Sequence, residues 1–370
     1  MSTLYLKNRQ EVEDFVRGCT FYGTGGGGLP ANGICSLMSE IEAGHQVGFV
    51  DVNEIPDDAV CVCPFLMGSI APHDEKTIKE MESYGLKTSV NSEKERLGKA
   101  IQELEDYTGK KATVIVPIEL GGANTPAAVA AASYLGIIAV DGDYTSRAIP
   151  EIIQITFNYH GKEILPVASV DEFDNRCIIK KSVNPRNTEK LGKLISQAGY
   201  GLAGQAGMLI SGKELKEIVI AGTLTGCYEV GKIMRESREA GQDYVAKVAE
   251  HTKGKVICRG RITAKEDYDE GGYYWGTNTI FDGKDEYKYW YKNEIHVLWK
   301  NSEPLVTSPD TITVIDLATG EPLPNPLSKV GMEVAVVAIE CRDELKSKKC
   351  IDQLGPRYFG FDFDYVTIGH

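Results

Sequence analysis

The 370-residue chain has no run of lysine and arginine, and its 40 basic residues face 53 acidic ones, for a formal net charge of −13. Nucleic-acid grooves are built on basic stripes, so that class of function is excluded, although a local anion site can still oppose the global field. Long apolar runs are missing too. The longest, Ala127 to Val140, is divided by Gly136 and is short of the roughly 20 residues a membrane helix requires. It reads as a buried helix running into a buried strand. The opening MSTLYLKNRQEVEDF has no apolar core and no cleavage signature, so no signal peptide and a cytoplasmic location are expected. The nine cysteines are odd in number and scattered, unlike the dense, even set of a secreted disulfide scaffold, and reduced thiols are the reading. Cys61 and Cys63 alternate along an apparent strand and are expected in a core. Catalytic signatures are absent as well: there is no GxSxG elbow, no Lys-Ser/Thr pair after the glycines to make a Walker loop, and no HxH, HExxH or CxxC pair.

What is present is an ordinary globular composition, 42% apolar and 25% charged, in a chain long enough for two domains. In NRQEVEDFVRG, Asn8 can cap a helix with Glu11 three residues on. Pro30 to Ala43 carries Ile34, Leu37, Met38 and Ile41 at helical spacing, with Gly44 as its stop. VGFVDV (47–52) and AVCVCPF (59–65) read as strands, 93–109 as a charged helix, and ATVIVPIEL (112–120) as a continuous apolar strand of a sheet buried on both faces. A helix with Pro126 in its first turn and a strand over 137–143 follow. This alternation predicts an α/β domain with a parallel or mixed sheet over residues 1–168. From 169 to 370 the texture changes to helices near 187–253 and then short β segments separated by turns such as FDGKDE. A mainly β, barrel-like second domain is expected there, joined to the first through a fixed interface because no long linker intervenes.

FYGTGGGGLPANG places Gly25, Gly26, Gly27 and Gly28 before a helix. A dinucleotide fingerprint needs a strand immediately before it, whereas a helix precedes this run. Glycines allow positive φ, so their N–H groups can form a concavity for a carboxylate or imide oxygen, to which the following helix adds its positive end. Polar groups collect at three neighbouring strand ends: Glu119 and Asn124; Asp141, Asp143, Arg147 and Glu151; and Ser69, His73 and Asp74. Ligands of parallel α/β sheets sit beyond such ends. Glu119, Asn124, Asp141 and Asp143 are therefore the candidate catalytic residues. The four glycines and Arg147 are candidate substrate contacts, joined by Arg357 if the aromatic- and acid-rich C-terminal segment 354–370 reaches back to wall the pocket. Asp141 and Asp143 with His73 and Glu119 also offer an oxygen-rich site for a divalent ion.

The motifs GTGGGG (23–28), PFLMGS (64–69), ELGGANTPAAVAAASYLG (119–136), VDGDYTSRAIPE (140–151), AGTLTG (221–226) and LGPRYFGFDFDY (354–365), in this order, resemble those of the bacterial S-methyl thiohydantoin desulfurase-like family. The resemblance implies an N-terminal α/β domain, a largely β C-terminal domain and a five-membered cyclic ureide or its sulfur analogue as substrate. It also implies association with a hydantoinase/oxoprolinase-type protein. Three functions are compatible with it: hydrolytic removal of sulfur from a thiohydantoin-like ring, an accessory subunit without catalysis, and a ring-opening amidohydrolase. A homo-oligomer is compatible with each. Leu29 stands where the family pattern has an acidic residue, and Ser146 where it has glycine; both are expected to border the pocket.

Overall fold

The computed structural model describes residues 3–68, 73–86 and 88–369. The chain forms an N-terminal α/β domain on a mixed sheet and a C-terminal, mainly β domain whose sheet curls into a half-barrel. The first sheet has eight strands, in the order Thr3–Leu6, Val47–Val50, Ile138–Val140, Val114–Ile115, Val60–Gly68, Leu202–Ser211, Val167–Val170 and Arg176–Ile179. The four from Val47–Val50 to Val60–Gly68 are mutually parallel, and antiparallel strands flank them. Each face carries its own core. Phe15, Leu97, Ile101 and the alanines of the helix Asn124–Leu135 pack on one face, against Phe49, Val62 and Ile115. Cys61, Cys63, Phe65, Val114 and Val140 face the other side, under Ile152, Phe157, Leu345 and Leu354. All nine cysteines are unpaired.

Two segments differ from the pattern in the sequence. The apolar run 112–120 pairs as a strand only over Val114–Ile115. Val116 still donates to Val62, but Pro117 has no N–H with which to continue the ladder, and the chain turns away to deliver Glu119. The strand Leu202–Ser211 carries no apolar alternation in LAGQAGMLIS, yet it pairs with Val60–Gly68 and Val167–Val170. The sheet therefore continues past the change of texture at residue 168.

The second sheet is antiparallel and seven-stranded, ordered Glu303–Thr307, Glu294–Lys300, Glu286–Lys292, Tyr273–Phe281, Lys255–Glu270, Glu333–Ile339 and Thr311–Asp316. KYWYKNEIHVLWK, one segment by its composition, breaks at Asn293, whose φ is 58°. Helices Arg9–Tyr22 and Thr223–Glu239 cross so closely that a Cβ on Gly18 would lie 1.7 Å from the Cys227 carbonyl oxygen. The joint between the domains is also held by Arg147, which is fully buried. Its guanidinium donates to the main-chain oxygens of Asp310 (2.8 Å) and Ile295 (2.9 Å) and to Thr24 Oγ1 (3.1 Å). Among the described residues, no helix is long and apolar enough to cross a membrane.

Candidate functional site

The helix Arg9–Tyr22 runs into the glycine loop, and Pro30–Glu42 leaves it. Gly25, Gly27 and Gly28 have φ of 87°, 71° and 86°, in the region that side chains rarely adopt. Packing also demands glycine here. A Cβ on Gly26 would fall 2.0 Å from Glu294 Oε1, and one on Gly27 would fall 2.4 Å from Gly121 Cα. The Gly27 carbonyl accepts from the amides of Ala123 (3.0 Å) and Asn124 (3.2 Å), and the Gly25 carbonyl from Asn325 (2.8 Å). The loop is thus clasped between the two domains. The amides of Gly27 and Gly28 meet no acceptor among the described residues.

Against this loop opens a cavity of about 380 Å³, lined by Gly25 to Leu29, by Phe65, Leu66 and Ile118, and by polar side chains from both domains. Glu119 stands in its wall with both oxygens engaged: Asn124 Nδ2 donates to Oε1 (2.7 Å) and the Ile149 amide to Oε2 (2.8 Å). Asn124 Oδ1 in turn accepts from the Leu66 amide (3.0 Å), which fixes the side chain between strand and carboxylate. Burial pushes the Glu119 carboxyl up to about 7, against the two hydrogen bonds that favour its charged form. Glu294, 2% exposed, is raised well above the usual carboxylate range, first by burial and then by the charge of Glu119. Its Oε2 has no partner among the described residues. Glu151 and Glu189 also stand in the wall. Glu151 is paired with Lys292 (2.5 Å) and Tyr358 (2.5 Å); Glu189 takes the Ile152 amide (2.9 Å) and the Tyr273 hydroxyl (3.2 Å). Lys193 faces the cavity 3.6 Å from Glu189.

The glycine loop, Glu119, Asn124 and Glu151 thus share one hollow; Asp141, Asp143, Arg147 and Arg357 lie outside its lining. Asp141 caps the helix Thr223–Glu239, accepting from the amides of Leu224 (2.9 Å) and Thr225 (3.0 Å) and from the Thr225 hydroxyl (2.6 Å). Asp143 is buried in a turn, where its Oδ2 accepts from Thr145 and Ser146; burial raises its carboxyl to about 6. Arg147 is spent on the domain joint. Arg357 is exposed and pairs with Asp362 (3.0 Å) and Asp364 (2.6 Å) rather than with anything in the cavity. The C-terminal segment does reach back, but through Tyr358. His73 is exposed and Asp74 caps the helix Glu75–Ser83. Ser69 lies outside the described residues. With the oxygens of Asp141 committed to a helix cap, this set does not fit a divalent ion, and no group of three or more His, Cys, Asp or Glu among the described residues is arranged to hold one. Leu29 borders the cavity. Ser146 lines a separate hollow of about 720 Å³ with Gly222, Thr223 and Gly226.

The sequence offered little to mark Glu93, Glu189, Lys193 and Glu294 as pocket residues. The first three sit on helices whose charged residues read as solvated faces. Glu294 is different: it opens the buried strand EIHVLWK, and a carboxyl at that place was a usable sign.

The S-Me-THD-like N-terminal domain model matches residues 10–181, and the S-Me-THD-like C-terminal domain model matches residues 183–368. No curated protein matches the chain significantly. Among solved structures, the crystal structure of a protein from Chromobacterium violaceum is similar over 99% of both chains, at 21% identity and a TM-score of 0.76, which speaks to the fold alone.

Proposed function

The chain belongs to the S-Me-THD-like family, and from that premise we propose that it hydrolyses the carbon–sulfur bond of a thiohydantoin-like cyclic ureide in the cavity beside the glycine loop. The observation that carries the reading is Glu119, a buried carboxyl raised to about 7, in the same wall as a second carboxyl, Glu294, which burial also raises well above the usual carboxylate range. Two adjacent buried carboxyls that both hold protons more tightly than usual can supply a base and an acid near neutral pH. Water adds to ring C2, Glu119 taking its proton. The C2–S bond then breaks and Glu294 protonates the departing sulfur. Of the two water protons, one ends on the ring nitrogen and one on the thiol, leaving a C2 carbonyl; the two carboxyls return to their starting states by exchanging one proton with solvent. Asn124 holds Glu119 in place. The amides of Gly27 and Gly28, which meet no acceptor among the described residues, suit a ring oxygen on which charge develops.

The test is product identification. Purified protein is incubated with an S-methyl thiohydantoin, released thiol is trapped and the ring is followed by NMR. Thiol together with an intact hydantoin ring supports the proposal. Ring opening with sulfur retained would instead select an amidohydrolase. Turnover appearing only after a hydantoinase/oxoprolinase-type protein is added would make this chain an accessory subunit. Asn124→Ala is expected to lower kcat about 100-fold, as loss of a positioned polar group in the site does.

A further inference from the structure

Glu93 is a buried carboxyl of the cavity wall for which the proposed reaction has no use. It is the first residue of the helix Glu93–Thr108 and is 7% exposed. Asn32 Nδ2 donates to its Oε1 at 2.8 Å, while Oε2 meets no partner among the described residues. The nearby Arg96 acts on it by charge but gives it no hydrogen bond, because that guanidinium donates to the main-chain oxygens of Leu202 (2.5 Å) and Ser92 (3.4 Å). Glu119, Glu151 and Glu189 all have donors from the chain. A buried oxygen without a donor is costly unless a ligand supplies one. Lys193, the cation among the described lining residues, is already beside Glu189.

We propose that Glu93, oriented by Asn32, forms a subsite for a cationic arm of the ligand, an ammonium or amidinium group carried on the ring. The arm donates to Glu93 Oε2, and its positive charge offsets the burial that holds this carboxyl above its ordinary pKa. Glu93 then sets which substituted rings are accepted, while Glu119 and Glu294 act on C2. The subsite rests on the cyclic-ureide reading for the ring to which the arm is attached.

The experiment compares hydantoins bearing an aminopropyl, propyl or carboxyethyl arm, together with propylamine alone, by titration calorimetry on the wild type and on Glu93→Gln. Aminopropyl is expected to bind wild type about 10-fold or more tighter than propyl, as a hydrogen bond to a charged group does. That preference collapses in Glu93→Gln. Rings that bind wild type with no preference for the amine overturn the subsite and leave the ring reading standing. Propylamine that binds and is lost in Glu93→Gln, while no ring binds, keeps the subsite and overturns the ring reading. An aminopropyl preference unchanged in a folded Glu93→Gln overturns the assignment to Glu93, and the wild-type comparison decides the preference itself should that variant fail to fold.

Discussion

Arg147→Met separates scaffold from site. Arg147 has no exposed surface and supplies donors to two stretches of the second half of the chain, at Ile295 and Asp310, and to Thr24 at the start of the glycine loop. Methionine fills much of the same volume but leaves the carbonyls of Asp310, Ile295 and Ala148 and the Thr24 hydroxyl without that donor. Each orphaned buried group costs about 1–3 kcal/mol, partly offset because the arginine no longer has to be desolvated. A net loss of about 3–5 kcal/mol follows. At roughly 2–4 °C per kcal/mol for domains of 150–250 residues, Tm falls by about 10 °C, and a differential scanning experiment reads it directly. Ligand affinity measured well below the transition stays near the wild-type value, since the guanidinium is absent from the cavity wall. An unchanged Tm with ligand binding abolished would refute this assignment and make Arg147 a substrate contact.

Asp141→Ala removes the acceptor for two amides at the start of the helix Thr223–Glu239 and is expected to cost about 1–2 kcal/mol in denaturant unfolding with kcat unchanged. Gly27→Ala puts a Cβ 2.4 Å from Gly121 Cα at a φ of 71°; the cost is expected to exceed about 1 kcal/mol, with a loss of ligand affinity in calorimetry. Glu119 also couples stability to pH. Its carboxyl lies at about 7 in the fold against 4.5 for the ordinary group, so the native state holds more protons in that window and stability falls as pH rises through it. At 1.36 kcal/mol per unit this amounts to roughly 3 kcal/mol between acid and neutral pH. Glu119→Gln should flatten that part of the Tm-versus-pH curve, and identical curves for both proteins would remove the claim.

The parallel layer was legible because its helices and strands carry clean periods: Ile34, Leu37, Met38 and Ile41 mark one helix face, and the Asn8–Glu11 cap appears as read. The strand Leu202–Ser211 was hidden because a glycine- and alanine-rich strand lined on both sides has no polar alternation. Glu119 and Asn124 share the cavity with the glycines because they sit where a parallel strand ends and a helix begins, a relation set by local topology. Asp141 and Asp143 have the same local setting, but a helix from the second half of the chain, Thr223–Glu239, arrives and takes Asp141 as its cap. Such a partner, some eighty residues on, leaves no mark in the motif itself. Glu294 comes from a strand of the second sheet and Glu93 from the helix Glu93–Thr108, and only the folded chain brings them to the glycine loop.

The central claim is that Glu119 is the base for attack on a thiohydantoin ring. It is tested most directly by the initial rate of thiol release from an S-methyl thiohydantoin as a function of pH, for wild type and Glu119→Gln. The account predicts a rate that climbs with an apparent pKa of about 7 in the wild type and a loss of about 100-fold or more in the variant, whose profile lacks that limb. A variant that releases thiol at the wild-type rate, with the limb intact, would contradict it.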